Sequence, residues 1–311
     1  MFSIRETVAS LCGSMISWAL SNFTGIGEKI VRAASLSGGS EGTMLNSLWT
    51  TISSLMTGVI NSLIPVGLAI CVLFFVISLI ELAMSERFTL EYFIKYLSKL
   101  VIGVVAVYYS AEIFTTFQNF GDDLATYLAS IGFYSEVPSA DDIKDQLISQ
   151  FSTFIGSYGA GQWLMLLLAI LMVVPIMGLV GVVITVVAYV VCYSRVLELC
   201  VRGAFLPIAC ALLSDDGWRG AGGRYIRKFI AICAQGSVLV MIGNIASGLI
   251  GMASQSMIDE IISFSLGTDM SSVMDLLGKL CSGFALIIGV GFACVALMFK
   301  SIGIVNDVFG G

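Results

Sequence analysis

The sequence predicts an all-α, polytopic membrane protein with about five transmembrane helices. Hydrophobic residues make up 58% of the 311 residues and charged residues only 12%, a composition that soluble globular domains do not show. The stretch 163–194 contains no charged residue, and it exceeds the ~20 apolar residues that cross a ~30 Å hydrocarbon core. Apolar runs of similar length recur along the chain between short polar segments. These features together predict a helical bundle within a bilayer.

The transmembrane helices belong to a predicted domain that covers residues 55–311. Pro65 opens the first helix, where a proline is well tolerated. Pro175 lies near the middle of the third, which it should kink or end early. At ~1.5 Å per residue the third run is ~43 Å long, so it must tilt, bend or project beyond the bilayer. The five predicted spans cover about residues 64–80, 100–120, 163–191, 229–253 and 280–299.

Residues 1–54 are predicted to form an external or interfacial N-terminal domain. It begins with an amphipathic helix and continues into a Ser/Gly-rich linker at 35–42. The apolar side chains recur at alternating steps of four and three residues, a helical period. Such a helix could lie in the membrane interface or pack against a copy or a partner. The predicted apolar stripe comprises Ile4, Val8, Leu11, Met15 and Trp18.

The segment 194–228 is predicted to be a cytoplasmic elbow. Its apolar part, 203–213, is too short to cross a bilayer and contains Pro207. Basic residues lie on both sides of that part, so a crossing would put one cluster outside. We therefore expect a re-entrant or interfacial elbow.

The distribution of basic residues predicts the orientation of the five spans. With the N-terminus outside and the C-terminus in the cytoplasm, ten of the 15 Lys and Arg residues lie on the inner side. This agrees with the positive-inside rule. The acidic segment 119–162 is then external.

The residue inventory excludes the common catalytic and metal sites. The chain contains no histidine, which removes Ser-His-Asp triads and the commonest zinc ligand. Its eight cysteines form no CxxC pair and are interpreted as packing residues. A net charge of −6 with scattered basic residues does not indicate sequence-specific nucleic-acid binding. We predict no enzyme activity, catalytic residue, cofactor or metal.

Glu112 is the one charged residue deep within a predicted span. A polar stripe of Tyr108, Glu112, Thr115 and Thr116 follows from helical spacings of three and four residues. An intramembrane carboxylate is a candidate functional group, here one that lines a conduit or couples to protons. Alternatively, Glu112 lies near the outer interface or pairs across a subunit contact.

The elbow carries a second candidate surface. Arg195, Glu198 and Arg202 share one helix face and can form an ion-pair ladder, which would act as a docking surface or set the depth of the helix end. Trp218 is an expected interface anchor, and the basic residues after it face lipid headgroups. The predicted elbow surface comprises Arg195, Glu198, Arg202, Pro207, Trp218, Arg219, Arg224, Arg227 and Lys228, and the predicted helix-packing glycines are Gly178, Gly181, Gly248 and Gly251.

The layout resembles the VirB6/TrbL group of polytopic inner-membrane components of type IV secretion and conjugation systems. The resemblance covers about residues 55–300. It is carried by the span SLIPVGLAICVLFFVISLIELAM, the connector TLEYFIKYLSKLVIGVV, the acidic segment NFGDDLATYLAS, and the long span that continues through YSRVLELCVRGAFLPIACALL into DDGWRGAGGRYIRKFIAICAQGSVL. Pro207 matches the proline-broken segment after the long span.

The resemblance implies a non-enzymatic scaffold or channel subunit in the bacterial plasma (inner) membrane. Such proteins form a homo-oligomeric ring through which DNA or protein substrates pass transiently. The implied partners are the lipid bilayer, further copies of the chain, and VirB3/VirB4-, VirB5- and VirB8-like subunits. The alternative is a single-chain secondary transporter or ion-coupled channel that uses Glu112 as its coupling carboxylate.

Overall fold

The computed structural model describes residues 2–34, 44–84, 90–131, 140–157, 160–263 and 270–309. Within these residues the fold is entirely helical, which confirms the all-α prediction. The predicted Ser/Gly-rich linker lies outside them. The helices are α1 (Phe2–Ala34), α2 (Met44–Met84), α3 (Leu90–Tyr108), α4 (Ser110–Ile131), α5 (Ala140–Ser157), α6 (Ala160–Ala204), α7 (Leu206–Asp216), α8 (Ala221–Ser263) and α9 (Met270–Phe309), with a short 3₁₀ turn at Gly217–Arg219.

Among the residues that the structure describes, four helical segments are long and apolar enough to cross a membrane, and the bent pair α3 and α4 adds a fifth if it forms one span. This agrees with the predicted number of about five. The four segments are Thr51–Met84, Ile170–Ala204, Ala221–Ile261 and Met274–Phe309.

The predicted second span, 100–120, is not one straight helix. α3 and α4 meet at Tyr109 and are bent by 62°. Backbone hydrogen bonds from Tyr109 to Val105 and from Ile113 to Tyr109, at 3.0 and 2.9 Å, continue through the bend. No proline or glycine lies at this position, so the break could not be predicted from the residue pattern.

α6 continues through Pro175 to Ala204 over 45 residues. Of the two effects expected of Pro175, a kink or an early end, the early end does not occur. Membrane helices tolerate proline because neighbouring groups and small backbone adjustments satisfy the carbonyl that it frees. The helix is ~68 Å long at ~1.5 Å per residue, longer than the predicted span.

Contacts within the chain divide it into two compact units, each assembled from separate stretches. One unit contains Met1–Val31, Ala129–Val191 and Val240–Phe299. The other contains Arg32–Leu128, Cys192–Leu239 and Lys300–Gly311. The units are interleaved along the chain, whereas the domains predicted from the sequence follow one another.

The first unit buries a different face of α1 from the predicted stripe. Leu11 and Trp18 of that stripe are 44% and 48% exposed. The reason is that small residues on the other face, such as Gly13 and Gly27, let neighbouring helices approach closely. The buried side chains are Ala9, Cys12, Ile16, Ala19, Leu20, Phe23, Ile26 and Ile30.

Glycines mark the helix crossings of the first unit. A Cβ at Gly13 would lie 2.7 Å from Ile148 Cγ1 of α5, and one at Gly27 would overlap Ser247 of α8. On α6, a Cβ at Gly178 would overlap the indole of Trp18, and one at Gly181 would lie 3.1 Å from the Phe23 ring. The last two glycines therefore occupy close helix contacts.

The second unit is organised around α7. This helix has 11 residues, ~16 Å at ~1.5 Å per residue, so it cannot cross a bilayer. It packs between α2 and α3: a Cβ at Gly67 would lie 2.9 Å from the Pro207 carbonyl oxygen, and one at Gly103 would lie 2.7 Å from Ser214 Cβ. The apolar part of the predicted elbow, 203–213, thus lies mainly in a separate short helix with a buried apolar face. The helix ends at Gly217, whose φ of 66° favours glycine.

Candidate functional site around buried Arg195

Arg195 lies in the last part of α6, and its side chain is buried. Only 3% of the residue is exposed, which corrects the prediction that it belongs to an exposed basic surface. Its spacing from Glu198 and Arg202 is helical, but the guanidinium turns instead towards backbone carbonyls of two other helices. A buried charge of this kind requires partners, and the structure supplies several.

The guanidinium donates three hydrogen bonds to backbone oxygens of the second unit. Nη1 bonds to Ala34 O at 3.0 Å, Nη2 to Cys233 O at 3.1 Å and Nε to Ile232 O at 3.3 Å. Ala34 is the last residue of α1, where carbonyls lack a helical partner and carry the negative end of the helix dipole. Ile232 and Cys233 lie inside α8 and accept through their second lone pairs. Arg195 thereby ties three helices together.

Asp122 of α4 provides the opposing charge. It is 5% exposed, it attracts Arg195 electrostatically, and its carboxylate accepts a hydrogen bond from the Gln118 side chain. Asp122 lies in the acidic segment 119–162 that is expected from the sequence to be external, and its role beside Arg195 was not predicted. A signal was nonetheless present, because Gln118 and Asp122 are four residues apart, a spacing at which such side chains bond on a helix.

Two glycines allow the close approach of the helices at this site. A Cβ at Gly236 of α8 would overlap the guanidinium of Arg195, and a Cβ at Gly121 of α4 would overlap the Cys233 carbonyl. That carbonyl is also an acceptor for Arg195, so the Cys233 carbonyl belongs both to the crossing of α4 with α8 and to the arginine site.

Of the predicted ion-pair ladder, the pair between Glu198 and Arg202 is present. Arg202 Nη2 lies 2.6 Å from Glu198 Oε1, and the two side chains are about one-third exposed, at 30% and 35%. The Tyr225 hydroxyl donates to the Arg202 carbonyl at 2.8 Å. This pair lies on the partly exposed side of α6, whereas Arg195 faces the interior.

The remaining elbow residues divide into buried and exposed groups. Pro207 is buried in the second unit. Arg227 is half-buried, and its Nε donates to the Gly223 carbonyl at 3.4 Å. The exposed members are Trp218, Arg219, Arg224 and Lys228.

The polar stripe of the second predicted span lies at the α3–α4 bend. Tyr108 ends α3, and Glu112 lies in the first turn of α4. Both side chains are exposed, as are those of Thr115 and Thr116. The Thr115 hydroxyl donates to the carbonyls of Ala111 and Glu112, at 3.3 and 3.0 Å. These residues share a surface at the bend, and the buried acid of this helix is Asp122.

The remaining glycines and the cysteines are mostly buried within helices. Gly248 and Gly251 are buried in α8. Seven of the free cysteines are buried and Cys281 is half-buried. Among the residues that the structure describes, no group of three or more His, Cys, Asp or Glu side chains is placed to hold a metal ion.

Comparison with protein families identifies the chain. A family model described as TrbL/VirB6 plasmid conjugal transfer like protein matches residues 27–207, more than half of the sequence. The chain belongs to the TrbL/VirB6 family. It is therefore a multi-pass membrane component of a conjugal transfer or type IV secretion system, as the resemblance implied. No curated protein and no solved structure gives a significant match.

The match to the TrbL/VirB6 family covers part of the arginine site. It contains Ala34, Asp122 and Arg195 and ends at Pro207. The α8 carbonyls of Ile232 and Cys233 lie beyond it. The family match therefore covers the residues that α1, α4 and α6 contribute to the arginine site. The carbonyls of α8 complete the site outside the matched residues.

Proposed function

We propose that this TrbL/VirB6 protein is a non-enzymatic scaffold or channel subunit that forms a homo-oligomeric ring in the bacterial inner membrane. DNA or protein substrates pass through the assembled ring during transfer. Family membership supports the place in the transfer system. The exposed face of α2 supports the assembly of several copies.

α2 carries an exposed stripe at alternating steps of four and three residues, which we name the α2 stripe. All eight of its side chains are exposed. This spacing of 3.5 residues is the seam pattern of helices that pack side by side over a long distance. The α2 stripe comprises Leu55, Val59, Ser62, Val66, Ala69, Leu73, Val76 and Ile80.

The α2 stripe differs from the opposite face of the same helix. Ile60, Gly67 and Cys71 on that face are buried within the chain. In the most apolar part of the α2 span, 11% of the residues are buried, compared with 72% in the α8 span. α8 is therefore a central helix, while α2 presents a long surface to its surroundings.

Exposed apolar surface alone does not drive association in a bilayer, because lipid tails solvate it equally well. Close packing does, and small residues permit it. Ser62 and Ala69 lie on the stripe, seven residues apart between branched side chains. This alternation of small and branched residues fits a helix from a second copy.

Cysteine cross-linking tests the proposed assembly in membranes. Val66→Cys lies on the α2 stripe, and Val72→Cys is a matched control off the stripe, since the native valines are 46% and 52% exposed. A Cys281→Ser background removes the half-buried native thiol. With a short bismaleimide, Val66→Cys should form covalent dimers and Val72→Cys should remain largely monomeric. Equal, background cross-linking at both positions would contradict the proposal.

We also propose that the N-terminus is external and the C-terminus cytoplasmic. The exposed basic residues Arg219, Arg224 and Lys228 would then face the cytoplasmic VirB3/VirB4-like components, and α5 would face the external VirB5- and VirB8-like components. The excess of Lys and Arg in the inner segments supports this orientation. A green fluorescent protein fused after Gly311 should fluoresce, because it folds in the cytoplasm; a dark, exported fusion would reverse the assignment.

A further inference from the structure

The second unit contains a cleft between α2, α3 and α7 that the proposed assembly does not use. Ser78 contributes from α2, Tyr96 and Lys99 from α3, and Ser214 from the last turn of α7. The cleft therefore joins polar groups from three helices that are distant in sequence.

The polar side of the cleft suits a phosphate group. Among the described residues that line it, Lys99 is the cation and none is acidic. The Lys99 ammonium lies 5.7 Å from the centre of the Tyr96 ring, a cation–π distance that keeps it beside the cleft. The Ser78 hydroxyl is an additional hydrogen-bond donor, whereas the Ser214 hydroxyl donates to the Ala211 carbonyl at 2.6 Å. A lysine ammonium binds a phosphate group as a point charge, and the hydroxyl of Ser78 can add a hydrogen bond.

The other side of the cleft is apolar. Phe74 and Phe75 of α2 and Leu100 of α3 line it. The neighbouring α2 residues Val72 and Ile77 are exposed, so an apolar surface continues outward along the span. A free inorganic anion cannot make apolar contacts with these side chains, whereas the glycerol and acyl portions of a phospholipid can.

The position of the cleft along the chain agrees with a bilayer boundary. Lys99 separates the polar first half of α3 from the apolar run that begins at Leu100. On α2, Ser78 precedes Glu81, where the apolar run ends. Lysines at the ends of transmembrane helices lie at headgroup depth, and basic pockets between such helices bind anionic headgroups.

We propose that this cleft binds an anionic phospholipid, with its phosphate at Lys99 and the Ser78 hydroxyl and its acyl chains along Phe74 and Phe75. The lipid would bridge α2 and α3 beside the last turn of α7. This inference requires the chain to be embedded in a bilayer and does not depend on ring formation.

Native mass spectrometry of the full chain in detergent, titrated with single lipids, tests the proposal. The wild-type protein should retain phosphatidylglycerol or cardiolipin at lipid concentrations that leave phosphatidylcholine unbound. Lys99→Gln should weaken binding of phosphatidylglycerol about fivefold, the effect of one lysine near an anionic headgroup. Lys95→Gln removes an exposed lysine of the same helix that does not line the cleft, and it should change binding less than twofold, since its charge is farther from the phosphate.

Four results would overturn the proposal. The first is equal retention of anionic and zwitterionic lipids by the wild-type protein, a comparison that requires no variant to fold. The second is an unchanged affinity in Lys99→Gln, and the third is an equal loss in Lys95→Gln. The fourth is displacement of the lipid by millimolar inorganic phosphate, which would indicate a site for a free anion instead.

Discussion

Replacing Arg195 with methionine should destabilise the helical bundle, because the guanidinium joins α1, α6 and α8 through three hydrogen bonds. Methionine is a flexible side chain that fills much of the same space without the charge. The substitution removes the donors to Ala34, Ile232 and Cys233 and leaves Asp122 buried without its cation.

The expected magnitude follows from these contacts. Hydrogen bonds between transmembrane helices contribute about 0.6 kcal/mol each on average, so three of them contribute about 2 kcal/mol. Breaking a buried charge pair by removing one partner costs about 3–5 kcal/mol in soluble proteins. Arg195→Met should therefore lower the free energy of unfolding by about 2–5 kcal/mol. Arg195→Lys should give an intermediate loss, because an ammonium keeps the charge but not the fork of donors.

The free energy of unfolding can be measured by titration with sodium dodecyl sulfate in mixed micelles, followed through the fluorescence of the four tryptophans. Arg202→Met is a matched control on the same helix. Its ion pair with Glu198 is about one-third exposed, and such pairs contribute no more than about 1 kcal/mol. The difference between the two variants isolates the buried site.

A double substitution tests the role of Asp122 directly. Adding Asp122→Asn to Arg195→Met removes the stranded carboxylate and should recover part of the lost stability, which appears as a coupling energy between the two positions. Equal, small losses in Arg195→Met and Arg202→Met would refute the reasoning. Strictly additive losses would refute the part that concerns Asp122.

Two further predictions use single substitutions or labels in the same preparation. Gly236→Ala should lower the free energy of unfolding by about 1–3 kcal/mol, because the added Cβ overlaps the Arg195 guanidinium. The control Gly278→Ala adds a Cβ with no atom within 4 Å, so it should be neutral or stabilising by up to about 1 kcal/mol. Equal effects of the two substitutions would contradict the assigned packing. Burial raises the pKa of the Cys210 thiol to about 12, so little reactive thiolate exists at neutral pH. Maleimide should therefore label Cys210 only after unfolding, whereas half-buried Cys281 should react in the folded protein. Rapid labelling of Cys210 in the folded protein would contradict this prediction and show that α7 opens.

The elements that the sequence predicted correctly have local causes. The apolar runs identify the spans because only long uncharged stretches are stable in hydrocarbon. The elbow is predictable because its apolar part is short and contains Pro207, which lies in the first turn of α7. The packing role of the glycines at 178 and 181 stays a prediction, made because small residues one turn apart allow helices to approach.

The arginine site could not be predicted because its acceptors are backbone carbonyls. Ala34, Ile232 and Cys233 contribute oxygens that every residue carries, and they are far from Arg195 in sequence. The side-chain pattern pointed instead to Glu198 and Arg202, which do pair with each other. A helical spacing shows which residues share a face, but it does not show which of them turns inward.

Two other differences have a similar origin. The apolar stripe of α1 was identified from large side chains, while the structure buries the face with Gly13 and Gly27, since close backbone approach contributes more contact than bulk. Asp122 follows the bend at Tyr109, where the sequence contains no proline or glycine that would predict a bend. Its burial depends on the path of α4 after that bend, which is a property of the tertiary structure.

We propose that several copies of this TrbL/VirB6 protein assemble through the membrane domain. Native mass spectrometry of the protein, extracted from membranes in mild detergent and analysed without cross-linker, tests it most directly. A homo-oligomeric ring subunit should appear as a defined multiple of the single-chain mass, and this species should diminish when Ala69 of the α2 stripe is replaced by tryptophan. A wild-type protein that remains monomeric across mild detergents and nanodiscs would contradict the account.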